Sequence, residues 1–392
     1  MLERWAEQCL LCGAEALAPV PGYEQFQRVT SDCKPWPAGG QLVVCQTCCG
    51  VQNLTSDRWH AEAARIYGDY TIYYQSNGVE QLVCDPDSGQ LAERSARVLE
   101  RFQALERLPR DGRLLDVGCG NGALLRAFAR LQPGWTIAGS DLSDRFRDTI
   151  ESIPGVERLY TCPPVDIPGT FDVIALMHAL EHVPSPLNLL AELRGKLGPN
   201  GVLLVQVPNA DRNAFDLMVA DHCSHFSPTT LPRLISRAGF DVTTVAVDWV
   251  SKEVSLVGRP RRSIPASTTD LVGDDCGQVL NATRNRLGWL RTVVEDARAV
   301  ARHRPFGVFG TSIAAVWLYG ELQDVTDFFV DEDPNRAGGL YMGLPIYHPR
   351  DVPRGSHVYL GVAPELAERI RARLIDDPSL DFALYAPPGV TV

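Results

Sequence analysis

The stretch "LLDVGCGNGALL", Leu114–Leu125, decides how the chain folds. Its opening residues read as a short buried strand, and "NGALLRAFARLQP" reads as an amphipathic helix that ends before Pro133. Gly118, Gly120 and Gly122 alternate between them. Glycine at a strand-to-helix turn lets the main chain bend tightly and lets a ligand approach the backbone. Downstream, "WTIAGSDLS", "TFDVIALMHAL" and "GVLLVQVPN" read as further strands, and "LPRLISRAGFDVTTVAV" as a helix followed by a strand. This alternation predicts a parallel, doubly wound α/β sheet over residues 106–260, with ligands at the carboxyl ends of its strands.

The remaining regions arrange themselves around that sheet. The chain has 392 residues, more than one core usually spans. Residues 1–55 hold six of the eleven cysteines and read as a small metal-stapled module. Residues 56–105 are aromatic and then helical, and "IYGDYTIYYQSNG" carries four tyrosines. Residues 261–304 read as a linker and a long helix. Residues 305–392 read as a smaller α/β unit: strand, glycine turn, helix, strand, acidic end, strand. A net charge of −11 disfavours nucleic acid and anionic membranes as partners. No apolar run approaches the length of a membrane span, and the N-terminus lacks the pattern of a secretory signal, so a cytoplasmic chain is expected. An odd cysteine count in that setting predicts metal ligands and reduced thiols rather than a disulfide framework.

Read as G-x-G-x-x-A, the glycine loop also meets a loose dinucleotide fingerprint. Asp116, two residues before the first glycine, suits a cationic amino-acid group instead, and the third glycine is misplaced for a pyrophosphate loop. Asp141 ends the next strand, where a carboxylate accepts from ribose hydroxyls or caps a helix. The stretch resembles the first motif of class I S-adenosylmethionine-dependent methyltransferases. That resemblance implies cofactor binding by Asp116, Gly118, Gly120, Gly122, Asp141 and Leu142. It places Cys162 to Asp166 beside the adenine, with Met177 and His178 after the next core strand. His182, in "LEHV", reads as a structural helix residue. The NPPY or DPPY motif of many base and amide methyltransferases is absent.

"CLLCG" and "CQTCCG" supply two C-x-x-C pairs, Cys9 with Cys12 and Cys45 with Cys48. Two such knuckles suit one tetrahedral zinc ion, and a closed four-thiolate site leaves no position for substrate, so the zinc would be structural. Cys49 is an alternative to Cys48, and Cys33 reads as a packed thiol. The whole arrangement resembles the zinc-containing, S-adenosylmethionine-dependent C-methyltransferases of deoxysugar biosynthesis. The fold this implies is a Rossmann-like methyltransferase sheet with an N-terminal zinc module and a smaller C-terminal α/β domain. The implied substrate is a nucleotide-linked keto sugar, which the family's C-terminal domain helps to hold. Here Gly310, Thr311 and Ser312 offer main-chain donors to a phosphate at a helix N-terminus, and the alternative is a domain that only packs and walls off the active site.

In that family a Y-H-E-H-x-S-Y-F-S segment supplies the general base. Matching its "SYFS" to "SHFS" in "DHCSHFSPTTL", Asp221–Leu231, places the base on His222 and the acid on Asp221, with Val219 where the family has tyrosine. Either the substrate differs from the family's, or another tyrosine among Tyr70, Tyr73 and Tyr74 supplies the lost hydroxyl, with Tyr74 the catalytic candidate. Carbon methylation needs a proton removed beside a carbonyl, which a histidine of near-neutral pKa performs. Asp221 would raise its basicity. The same histidine serves an oxygen nucleophile, so a sugar O-methyltransferase is the alternative, and a non-catalytic binding protein or a nucleotide-dependent oxidoreductase are the readings of other classes. His225 reads as a loop residue or substrate contact. A metal on Asp221, His222 and His225 ranks below the base reading, because adjacent residues seldom converge on one ion.

Overall fold

The computed structural model describes residues 8–71, 80, 82–84, 91–261, 275–375 and 377–389. Tyr73 and Tyr74 lie outside them. The N-terminal module consists of β1 (Leu17–Pro19), β2 (Arg28–Val29), β3 (Pro35–Trp36), β4 (Leu42–Cys45) and β5 (Val51–Asn53). β1, β4 and β5 form an antiparallel sheet, and β2 pairs with β3. Helix α1 (Asp57–Gly68) starts where Ser56 Oγ accepts from the Trp59 amide at 3.2 Å, an N-cap that satisfies one of the free first-turn donors. The pair β6 (Leu82–Cys84) and β7 (Leu91–Glu93) then leads into α2 (Arg94–Leu105).

The central domain contains β8 (Arg113–Val117), α3 (Ala123–Leu131), β9 (Thr136–Ser140), α4 (Arg147–Glu151), β10 (Val156–Tyr160), β11 (Phe171–Met177), α5 (Pro186–Lys196), β12 (Leu197–Pro208), β13 (Ser224–His225), α6 (Thr230–Arg237), β14 (Phe240–Ala246) and β15 (Glu253–Pro260). Its seven-stranded sheet runs β10-β9-β8-β11-β12-β15-β14. The first five strands are parallel, and β15 inserts antiparallel to both neighbours. β10 and β15 complete the sheet beyond the strands recognised from sequence. The chain leaves β8 toward β9 on one side and later places β11 on the other, so the order reverses at β8, the position at which open α/β sheets bind their ligands.

Strand periodicity explains why these runs are apolar throughout. Leu114 faces the cluster of Val98, Leu99, Phe102, Leu124 and Phe128 from α2 and α3. Leu115 faces the opposite cluster, with Leu190, Leu193, Leu231 and Leu234 from α5 and α6. Successive side chains point to opposite faces, and both faces are covered by helices. Full burial of each such leucine contributes about 1.5–3 kcal/mol. Cys9, Leu11, Cys45 and Cys48 join the α5/α6 side, so the cysteine knuckles pack on the sheet's covering layer.

The C-terminal unit contains α7 (Cys276–Val300), β16 (Phe306–Phe309), α8 (Ile313–Glu321), β17 (Phe328–Val330), β18 (Leu340–Tyr341), β19 (Leu344–Tyr347), β20 (Ser356–Leu360), α9 (Pro364–Ile375) and β21 (Phe382–Tyr385). Its sheet runs β18-β19-β17-β16-β20-β21, parallel apart from the β18/β19 pair. One core joins this unit to the N-terminal module: Val20, Tyr23, Phe26 and Val29 pack with Leu290, Val293, Val316 and Trp317. Trp317 Nε1 donates to the Gln27 carbonyl at 2.9 Å.

Two long-range connections depart from the sequence reading. The segment that carries "DHCSH" leaves the central domain. β13 pairs antiparallel with β5, and Val219 bridges Val29. His225 is therefore a buried strand residue, not a loop residue. Cys49 and Cys276 form a disulfide across 227 residues, correcting the expectation of reduced thiols for this pair and removing Cys49 as a metal ligand. No helix among the described residues is long and apolar enough to cross a membrane.

Candidate active site

The carboxyl end of β8, where the strand order reverses, brings together residues expected to hold a cofactor. Gly118, Gly120 and Gly122 all have positive φ, at 76°, 55° and 83°. A Cβ on Gly118 would stand 2.7 Å from that of Ala179, so the turn excludes any side chain there. The Gly120 amide donates to Asp141 Oδ2 at 2.9 Å, and the Ser143 amide donates to Oδ1 at 3.2 Å, which fixes this carboxylate at the end of β9. Leu142 beside it is 89% exposed. Asp116 is buried, and its Oδ1 accepts no hydrogen bond. Burial, with the charges of Asp141 and Glu80 adding to it, pushes its carboxyl up to about 8. An orphaned buried carboxylate beside an open glycine turn fits a ligand that brings its own cation, as the ammonium of S-adenosylmethionine does.

Met177 and His178 follow on β11, both half-buried. His178 adopts φ 52°. Its Nε2 lies 3.1 Å from Glu253 Oε1 and 2.9 Å from Arg94 NH1, and its Nδ1 lies 3.4 Å from Glu181 Oε1. Burial works to lower its pKa and Arg94 adds to that, but Glu253 and Glu181 outweigh both and the ring is pushed up to about 9.

A second cluster lies where the N-terminal sheet meets the central domain. His222 Nδ1 is 2.8 Å from Asp216 Oδ1, and His225 Nδ1 is 2.8 Å from Oδ2 of the same carboxylate. Asp216 comes from a tight helical turn, Ala214–Met218, and is itself buried. Burial acts to raise its carboxyl, but the two imidazoles hold it well below the ordinary range. The backbone around His222 is anchored too: its carbonyl accepts from Asn53 Nδ2 at 2.8 Å, and the next amide, of Cys223, donates to the Glu181 carbonyl at 2.9 Å.

Asp221 does not assist His222. It accepts from the Ser31 amide at 2.9 Å and the Ser31 hydroxyl at 2.5 Å, and its Oδ2 lies 3.4 Å from His182 Nδ1. Burial opposes the charge, yet His182, His222 and Ser31 lower its carboxyl to about 2. His182, expected as a structural helix residue, also faces this cluster. It sits in a single tight turn, Leu180–His182, with its ring centroid 4.6 Å from that of His222. Its Nδ1 is 3.1 Å from both the Tyr67 hydroxyl and the Asp221 carbonyl. The Tyr70 hydroxyl accepts from Ser31 Oγ at 3.3 Å. Asp216 and Tyr67 were missed by sequence reasoning, which named His182 only as a structural residue. The only local cue to the three was the histidine of "LEHV".

The four cysteines do converge. Cys9 Sγ is 3.5 Å from Cys48 Sγ, Cys12 Sγ is 3.6 Å from Cys45 Sγ, and all four sulfurs lie within 4.8 Å of one another. A tetrahedral zinc with Zn–S of about 2.3 Å needs S···S separations of about 3.8 Å, so the set fits. The Thr47 and Cys48 amides approach Cys45 Sγ at 3.4 and 3.5 Å, the donors expected around a thiolate. In the C-terminal unit, the Thr311 hydroxyl donates to Asp331 Oδ2 at 2.8 Å, so this side chain at the glycine turn already has a protein partner.

Residues 89–245 match the sequence profile of a family described as "Methyltransferase domain". A ubiquinone biosynthesis O-methyltransferase of Xanthomonas campestris pv. campestris (strain B100) is 35% identical over 115 residues, covering 27% of this chain and 47% of that protein. One of the same description from Neisseria meningitidis serogroup C is 27% identical over 158 residues, covering 34% and 65%. The chain thus spans about half to two thirds of the length of these relatives. Among solved structures, an S-adenosylmethionine-dependent methyltransferase from Clostridium acetobutylicum aligns with TM-score 0.36 at 10% identity, covering 43% of this chain and 91% of that one. A glycopeptide N-methyltransferase complexed with S-adenosylmethionine aligns with TM-score 0.34 at 17% identity, covering 45% and 96%.

Proposed function

We propose that this chain, which carries a class I S-adenosylmethionine-dependent methyltransferase domain over residues 89–245, methylates a nucleotide-linked keto sugar at the carbon beside its carbonyl. The observation that carries the reading is the His222–Asp216 couple, a buried imidazole oriented by a buried carboxylate. With Nδ1 protonated toward Asp216, Nε2 keeps a lone pair for the substrate proton. Asp216 then stabilises the imidazolium, while the electrons left on carbon delocalise onto the carbonyl oxygen. S-adenosylmethionine, when bound, supplies an electrophilic methyl group on a sulfonium. Asp116, Asp141 and the glycine loop would hold it, with Met177 and His178 alongside. Zinc on Cys9, Cys12, Cys45 and Cys48 would be structural and would fix the N-terminal sheet on which β13 depends.

Calorimetric titration with S-adenosylhomocysteine tests the cofactor assignment, and absence of binding would sink it. His222→Ala, assayed on a panel of nucleotide keto sugars and hydroxy sugars, tests the base. Retention of full activity would remove that assignment. Sugar O-methylation is the second reading, because the relatives above carry the name O-methyltransferase. Turnover of hydroxy sugars alone would select it.

A further inference from the structure

The site has a carboxylate that the reaction above does not use. Glu181 is 1% exposed, and neither of its oxygens accepts a hydrogen bond. His178 Nδ1 stands 3.4 Å from Oε1 as an ion-pair partner. His178 approaches only Oε1, so Oε2 is left buried with no partner, which is costly unless a further donor or cation completes the shell. Glu181 lies in the tight turn that carries His182, and Glu181, His182 and His222 each offer a ligand atom, all within 4.8 Å of one another.

We propose that Glu181, His182 and His222 form a binding site for a zinc-class divalent cation, distinct from the four-cysteine site. Two imidazoles and one carboxylate are the ligand set of open zinc sites. The outer partners are also in place. His222 Nδ1 is held by Asp216 at 2.8 Å, and His182 Nδ1 by the Asp221 carbonyl at 3.1 Å. Metal-binding histidines characteristically donate the second ring N–H to a carboxylate or carbonyl in this way, which leaves Nε2 as the ligand. Donors about 3.3 Å apart suit a tetrahedral ion, so the three atoms need to close by about 1.5 Å at most. The neighbouring group of Asp216, His222 and His225 is a poorer candidate. Both oxygens of its carboxylate already accept from imidazole Nδ1 atoms at 2.8 Å, and a cation would have to displace those bonds.

The consequence rests on the base reading of His222. The lone pair that binds the cation is the one that accepts the substrate proton, so occupancy blocks proton removal and the cation is a reversible inhibitor.

The test uses full-length protein with its cysteine site filled with zinc, titrated with cobalt(II). One further equivalent is expected, with visible bands of nitrogen and oxygen ligation and no thiolate charge-transfer band. Glu181→Gln abolishes those bands, Asp216→Asn weakens cobalt affinity about 10–100-fold, and His225→Asn leaves the bands in place. Binding of S-adenosylhomocysteine by each variant confirms that it is folded. Should Glu181→Gln fail that control, imidazole nitrogen NMR of the wild-type protein decides: added zinc must shift His182 and His222. Absence of a histidine-type cobalt spectrum, its persistence in folded Glu181→Gln, or unmoved His182 and His222 resonances would each overturn the site. Each would leave the methyltransferase reading intact, since that stands on S-adenosylhomocysteine binding and on turnover by protein whose cysteine site is filled and to which no further metal is added.

Discussion

Replacing Asp216 by asparagine separates the structure's account of the base from the one sequence adjacency suggests. Asp216 gives one oxygen to each of two imidazoles, both at 2.8 Å. Asparagine offers one acceptor oxygen and one amide donor. One imidazole keeps its bond, and the other faces an N–H and must change tautomer or lose its partner. A buried donor left unsatisfied costs about 1–3 kcal/mol of folding stability. If the misplaced ring is His222, methyl transfer falls by a factor on the order of 10²–10⁴, the usual worth of a positioned general base. Asp221→Asn disturbs Ser31 and His182 instead, and is expected to lower kcat less than Asp216→Asn does. The assay is turnover of nucleotide keto sugars at saturating S-adenosylmethionine, with S-adenosylhomocysteine titration as the control for folding. Imidazole NMR gives a reading independent of substrate, and His222 should carry its proton on Nδ1. Wild-type kcat in Asp216→Asn, a larger loss in Asp221→Asn, or an Nε2-protonated His222 would refute the reasoning. The acid limb follows with a definite sign. Both carboxyls are held below their unfolded values, so their contribution is complete above about pH 4 and is lost as pH falls, for Asp221 down to about 2.

Asp116→Asn removes a buried carboxylate whose pKa is raised to about 8, so it should stabilise the ligand-free protein above that pH while weakening S-adenosylhomocysteine binding by about 1.5–3 kcal/mol, as read by thermal melts and calorimetry. His178, pushed up to about 9, contributes stability that is complete below its unfolded pKa of about 6.5 and lost as pH rises through 9; His178→Gln should therefore cost about 1–3 kcal/mol at pH 6 and little at pH 10 by urea denaturation. Chelation of the cysteine site should lower the thermal midpoint of the whole chain, because Val20, Tyr23 and Phe26 share a core with α7 and α8; zinc content unchanged in both Cys9→Ser and Cys45→Ser would refute the four-thiolate assignment. Cys276→Ser opens a 227-residue loop, worth up to about 5 kcal/mol by chain entropy, and should lower the urea midpoint under non-reducing conditions but not in reductant.

The parts of this protein legible in its sequence are those written in local patterns. A strand running into Gly118, Gly120 and Gly122 needs no distant partner to be recognised, since positive φ at the turn is a local requirement. The C-x-x-C pairs announce knuckles for the same reason, because each places two sulfurs on one turn. Their convergence could be inferred because one ion needs four ligands. What could not be read was whatever depends on the return of the chain. The disulfide joins residues 49 and 276, and β13 reaches back to β5 across the first five strands of the central sheet.

The acid of the proposed couple shows why adjacency misleads. Residues 221 and 222 are neighbours in the chain, but their side chains leave the turn in different directions. Asp221 meets Ser31 from the N-terminal module and His182 from the end of β11, whereas His222 meets Asp216 from the preceding helical turn. The partner of a histidine is chosen by the surface its ring faces, and here that surface is assembled from separate segments. The same assembly explains the placing of the site. His222 sits on a segment fastened to the N-terminal sheet through Asn53 and β5, while Asp116, Asp141 and His178 sit on the central sheet. On the proposed reading, the distance between base and cofactor is set by how the cysteine-bearing module packs on the central domain. A structural zinc that never touches substrate would then still govern the reaction geometry. On this argument, chelation should reduce methyl transfer more steeply than S-adenosylhomocysteine affinity, because the cofactor residues belong to the sheet that remains folded and the base does not.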